Sequence, residues 1–132
     1  MPSFRVNMKV DQRGPIFNAA VSRAAANRMI VNINDAIAEE GVQRVKAHLH
    51  AVLKNPTGYY ESQITVDRRV IYRGVTDNNV VYGGWLEGNS SRNKTTRFKG
   101  YHTFRIVKQT LDKDSVQIAK PYVERYVREM NE

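Results

Sequence analysis

From Ile16 to about Leu53 the chain contains no proline and a single glycine. No other segment constrains the fold as strongly. Ala19, Ala20, Ala24, Ala25 and Ala26 have high intrinsic helix preference. Ile30, Ile33 and Ile37, then Val42, Val45, Leu49, Val52 and Leu53, recur at spacings of three and four, the apolar face of a helix. Gly14-Pro15 suits the start, because proline in the first turn loses no needed donor. Asn55-Pro-Thr-Gly58 ends it sharply. A helix of about 36 residues would span roughly 54 Å. That exceeds the diameter of a compact domain this size, so the helix must project, bend or pack against neighbouring subunits. Gly41 marks a bend or a close packing contact, since glycine costs about 1 kcal/mol inside a helix.

The flanking segments read as strands and shorter helices. Phe4, Val6, Met8 and Val10 alternate with Arg5, Asn7 and Lys9, which predicts a half-buried strand over Ser3 to Val10. Tyr59 to Val66 and Val70 to Thr76 are rich in β-branched and aromatic residues, with Asp67-Arg68-Arg69 between them, the pattern of a hairpin. Asp77-Asn78-Asn79 is a second turn, and Val80-Val81-Tyr82 opens a further strand. Phe104, Val107 and Leu111 have helical spacing. Val116, Val123, Val127 and Met130 continue it in a second segment, with Asp112 or Asp114 as cap and a kink or break at Pro121. The sum is one α+β domain over residues 1–132. A long N-terminal helix packs on a small antiparallel sheet of three to four strands, and a C-terminal helical segment covers 102–131.

Charge narrows the function. The chain has 21 Lys and Arg against 13 Asp and Glu, a formal charge of +8. Six of those 21 bases (Arg92, Lys94, Arg97, Lys99, Arg105 and Lys108) lie between Gly88 and Leu111, where there is no acid. The remainder is nearly balanced. Asn89 to Arg97 is entirely polar and without periodicity, so 88–101 reads as a basic surface loop. Arg92, Lys94, Arg97 and Lys99 either are simply solvated or face a polyanion or an acidic partner. The absence of cysteine excludes a disulfide scaffold, a thiolate metal site and a cysteine nucleophile. No apolar run approaches the roughly 20 residues that span a bilayer, and Met1 to Val10 lacks the apolar core of a signal peptide.

Catalytic constellations are missing. His48 and His50 are two apart on a helix and diverge, unlike the i, i+4 pair of zinc helices. No nucleophile elbow, phosphate loop or dinucleotide fingerprint occurs. Adjacent Glu39 and Glu40 point in different directions, and Glu61 and Glu87 are isolated. Asp77-Asn78-Asn79 lacks the spacing of a calcium loop. Tyr59, Tyr60, Tyr72, Tyr82 and Trp85 fall on predicted strands, where core or interface packing is the ordinary role and base stacking the special one. These residues point to a protein that is not an enzyme and uses no cofactor.

The motif order then resembles a family. A long helix precedes Thr57-Gly58 and a hairpin, Tyr82 to Gly88 follows, and after the loop Tyr101-His-Thr-Phe-Arg105 opens a helix. This is similar to the neck and tail-completion (head–tail joining, minor tail) proteins of long-tailed double-stranded-DNA phages. Their patterns are T-G-x-L, then Y-A-x-x-x-E-x-G, then P-F-L-R-P-A. Thr57 and Gly58 match the first, Tyr82 and Glu87 the second, with Gly88 one place early, and Phe104 and Arg105 the third. Tyr59-Tyr60 after Gly58 and the missing prolines around Phe104-Arg105 depart from the pattern. The resemblance implies a structural virion protein at the head–tail junction, assembled in the host cytoplasm. It implies a homo-oligomeric ring, hexameric in expectation, joining a portal-side ring to the tail-tube protein, with non-specific contact to genomic DNA and none to membrane. A small basic nucleic-acid-binding module is the alternative.

Overall fold

The computed structural model describes residues 2–9, 20–54, 58–69 and 72–130. Strand β1 (Ser3–Val6) leads to helix α1 (Ala20–Val52), then one helical turn, α2 (Tyr59–Ser62). Strands β2 (Thr65–Asp67) and β3 (Arg73–Thr76) follow, then short helices α3 (Gly83–Glu87) and α4 (Arg92–Thr95), and helix α5 (Thr103–Met130). The sheet is antiparallel in the order β1-β3-β2, with Phe4 opposite Val75 and Val66 opposite Val75. The chain is α+β, with the long N-terminal helix packed on a small antiparallel sheet.

The 33 residues of α1 make a helix of about 50 Å. Its length is accommodated by α5, 28 residues and about 42 Å, which runs antiparallel along it. Three contacts set the register. His48 Nδ1 lies 2.8 Å from Thr103 Oγ1. Arg44 reaches Thr110 at 3.2 Å and Asp114 at 2.8 Å. At the far end Ala25 and Met29 face Tyr122 and Tyr126. The chain thus covers much of its own long helix, and helix length alone does not call for neighbouring subunits.

Gly41 is the point where the layers meet. A Cβ there would lie 2.9 Å from Leu111 Cδ1, 3.1 Å from Phe4 Cζ and 3.1 Å from Val75 Cγ2. Helix α5 and strands β1 and β3 all converge on α1 at this glycine, so close packing explains it. Ile33, Ile37, Val45, Leu49 and Ile64 complete the core around it. The outer face of the sheet end is tied by charge, with Arg73 bound to Asp35 and Arg68 to Glu39.

Several local expectations are corrected. Tyr59–Ser62 is a helical turn, with Gly58 before it in the left-handed region (φ 85°). The strand expected to begin at Tyr59 therefore begins only at Thr65. Val80-Val81-Tyr82 is a turn into α3, so the sheet has three strands, and none of the five aromatics assigned to strands lies in one. Strand β1 ends at Val6, and Met8 instead donates its N–H to Asn34 Oδ1 at 2.8 Å. Pro121 does not end α5. The Gln117 carbonyl loses its helical donor there, but both residues are exposed, so the carbonyl is open to solvent. With no second helix start, Asp112 and Asp114 act as partners of Lys108 and Arg44, not as caps. The expected helix start at Gly14-Pro15 and strand residue Val10 lie outside the described residues.

Replacing Gly41 by valine forces apart two methyl groups, of Leu111 and Val75, and the Phe4 ring. We expect Gly41→Val to lose about 2 kcal/mol in urea unfolding, with the circular dichroism of the folded state retained.

Candidate functional site

The four N-terminal amides of a helix have no partner within it, and α5 takes its partners from a distant residue. Glu87, the last residue of α3, is buried and directs its carboxylate at the start of α5. Phe104 N–H donates to Oε1 at 2.9 Å and Arg105 N–H to Oε2 at 3.2 Å. A carboxylate at a helix N-terminus is favoured both by these charge-assisted bonds and by the helix dipole. Phe104 beside it enters the core edge-on to Phe4, with ring centroids 6.2 Å apart. Arg105 keeps its side chain exposed.

The basic segment between Glu87 and α5 is a closed loop. Tyr101 N–H donates to Leu86 O at 2.7 Å and His102 N–H to Glu87 O at 3.2 Å, which joins the two ends. The stems touch through two glycines. A Cβ on Gly100 would lie 2.3 Å from Gly88 Cα, and one on Gly88 would lie 2.4 Å from Lys99 O. Both have φ near +100°, which only glycine adopts readily. Inside the loop Asn93 is a buried hub. Its Oδ1 accepts from Ser90 N–H at 2.9 Å, and its Nδ2 donates to Trp85 O at 3.2 Å and Phe98 O at 3.1 Å. Trp85, Phe98 and Tyr101 form an aromatic floor with centroids 5.0 and 4.9 Å apart. The loop is therefore ordered around α4, where its composition suggests an unpatterned segment.

This frame separates the four predicted basic residues. Lys99 turns its ammonium inward, donating to Asn93 O at 2.8 Å and Lys94 O at 3.5 Å. Arg92, Lys94 and Arg97 are exposed, and none forms an ion pair with an acid among the described residues. The result is three exposed cations, unpaired with acids among the described residues, on a supported loop.

Of the residues drawn from the resemblance, Tyr82, Glu87, Gly88, Phe104 and Arg105 gather at this site, while Gly58 precedes α2 and Thr57 lies outside the described residues. The Tyr82 ring sits 5.6 Å from that of Tyr60. Sequence reasoning missed two supports. Asn93 is one, hidden in a polar run. The other is Asp77, fully buried, which accepts from the Tyr60 hydroxyl at 2.8 Å and from Asn79 N–H at 3.0 Å. Gly83 packs on that carboxylate, where a Cβ would stand 1.9 Å from Oδ2. Asp77-Asn78-Asn79 is a tight turn, with both asparagines at positive φ. Among the described residues no three His, Cys, Asp or Glu side chains stand close enough to hold a metal ion. His50 meets Glu61 at 3.7 Å, and His48 is bonded to Thr103.

No family model, curated protein or solved structure matches this chain.

Two outcomes follow from the geometry. Glu87→Ala strips both donors of a buried acceptor, and we expect a loss of about 2 kcal/mol in urea unfolding, with Glu87→Gln losing less. The second concerns Tyr60. Burial, then the Asp77 bond, push its phenol well above the ordinary value of 10.0. Above that ordinary value the unfolded chain releases this proton while the folded chain keeps it, so stability falls as pH rises past about 10. Unfolding midpoints at about pH 8 and about pH 11 should converge in Tyr60→Phe relative to the parent, at a cost of about 1–2 kcal/mol at the lower pH.

Proposed function

We propose that this chain is a non-catalytic structural subunit of a phage head–tail connector, forming a homo-oligomeric ring between the capsid portal and the tail tube. One observation carries the reading. The separated pieces of the resemblance, Tyr82 to Gly88 and Phe104-Arg105, meet as one device in which Glu87 accepts from the Phe104 and Arg105 amides in the first turn of α5. A short motif with a shared mechanical purpose is stronger support than letters in order. The exposed valines of α5 add to it. Val116, Val123 and Val127 lie at spacings of seven and four on one face, turned from α1, and suit burial against a neighbouring subunit. Closed rings make such heterologous contacts. In this reading Arg92, Lys94 and Arg97 meet an adjacent connector ring, with non-specific contact to passing double-stranded DNA.

The same three exposed cations favour a second reading, a nucleic-acid-binding module. The two separate cleanly. A connector subunit is expected to sediment as a ring of defined mass, hexameric in expectation, and to be present in virions. A stable monomer absent from particles contradicts that. A nucleic-acid module would bind duplex DNA with a log–log salt slope of about −3 for three neutralised phosphates. Neutralising Arg92, Lys94 and Arg97 to glutamine would abolish it. For the connector we expect the same variant to fold normally, lose incorporation into particles, and change DNA affinity little.

A further inference from the structure

Next to α4 the surface opens into a groove of about 710 Å³ between the turn at 79–82, α3 and the basic loop. Its lining includes Val80, Val81, Tyr82, Trp85, Arg92 and Thr96, and among the described residues no acidic side chain. The two acids nearest in sequence, Asp77 and Glu87, are buried and bonded to Tyr60 and to α5. Val81 is 100% exposed at the rim, and Tyr82 is 43% exposed. A fully exposed valine beside partly open aromatic rings, with the Arg92 guanidinium, which pairs with no acid among the described residues, is an apolar surface with a positive edge. The volume lies within the range of built ligand sites.

We propose that this groove receives an extended acidic segment of a partner protein, with a bulky apolar side chain covering Val81 and Tyr82 and a carboxylate on Arg92. The inference rests on reading 88–101 as a contact surface, and it names what the contact is made to. Charge complementarity selects an acidic occupant: Arg92 lines the groove, Lys94 and Arg97 follow it in sequence at exposed positions, and no acid among the groove's described lining residues opposes them. The apolar wall selects peptide over nucleic acid. A duplex is convex and offers phosphates, which gain nothing from an exposed valine. A single strand needs free ring faces for stacking. Here Trp85 and Phe98 (5.0 Å) and Tyr82 and Tyr60 (5.6 Å) are tilted to each other by 48° and 44°, so the rings form no parallel platform for successive bases. Bidentate capture of a carboxylate by Arg92 fixes the segment's register.

Trp85 is the single tryptophan of the chain, so its emission reports the groove directly. The full chain is titrated with a peptide of Asp, Glu and Ser around one central Phe. Two control peptides carry Ser in place of Phe or Lys in place of the acids, and an oligothymidylate tests the single strand. The expected result is a saturable change in Trp85 emission with the first peptide and at least tenfold weaker binding of both controls. Val81→Asp and Arg92→Gln should each weaken the first peptide at least tenfold without moving the unfolding midpoint. Three results overturn the proposal: no saturable change, tighter binding of oligothymidylate that ignores Val81→Asp, or an emission that depends on the chain's own concentration and loses that dependence in Val81→Asp. The last would place a second copy in the groove. Peptide binding by a chain that never enters particles would overturn the connector reading and leave the groove standing. Loss of incorporation by the three-glutamine variant, together with no peptide binding by the unsubstituted chain, would do the reverse.

Discussion

The carboxylate of Glu87 joins the end of α3 to the start of α5 across the whole basic loop. It ends α3, lies buried, and satisfies two amides at the start of α5. A buried charge without such partners would be strongly unfavourable, and a helix start without a cap leaves donors unpaired. Each cost is offset by the other group. Because Phe104 follows directly and packs on Phe4, the same contact sets where α5 meets β1. From there α5 runs back along α1, fixed by His48 with Thr103 and Arg44 with Asp114. The convergence at Gly41 then locks sheet and helices into one core.

Closing the chain between Glu87 and α5 has a consequence for binding. A polar loop ordered only on assembly must lose its conformational freedom at the moment of contact. Here that freedom is already lost on folding, through the Gly88–Gly100 stem, the Asn93 hub and the Lys99 ammonium. Arg92, Lys94 and Arg97 are presented on a fixed frame, so a partner meets a preorganised group of cations beside a groove. The three do not make the whole molecule basic in character. The net charge of +8 is concentrated near this loop.

The elements most legible in sequence were those with long, regular patterns. Helix α1 follows its spacing of isoleucine, valine and leucine, and Phe4 and Val6 point inward as their alternation predicts. The charge cluster was equally visible, since composition needs no fold. What stayed hidden depended on contacts between distant residues. Val80-Val81-Tyr82 has strand composition, yet the buried Asp77 and its close approach to Gly83 turn the chain into α3. Asn93 has the look of loop polarity and acts as the loop's interior. Lys99 counts as one more cation in sequence and spends its charge on its own backbone. Glu87 is an isolated glutamate in the sequence, marked out only by the resemblance. Its purpose appears when α5 is placed against it.

The central claim is that residues 88–101 form a closed, preorganised loop hung on the Glu87 cap before any partner arrives. Amide hydrogen exchange on the free chain tests it most directly. The account predicts slow exchange at Tyr101, His102, Phe104 and Arg105, whose N–H groups bond to Leu86, to the Glu87 carbonyl and to the Glu87 carboxylate. It also predicts protection at Ser90, bonded to Asn93, and rapid exchange at Arg97. Uniformly rapid exchange from Gly88 through Arg105 in a folded chain would contradict it.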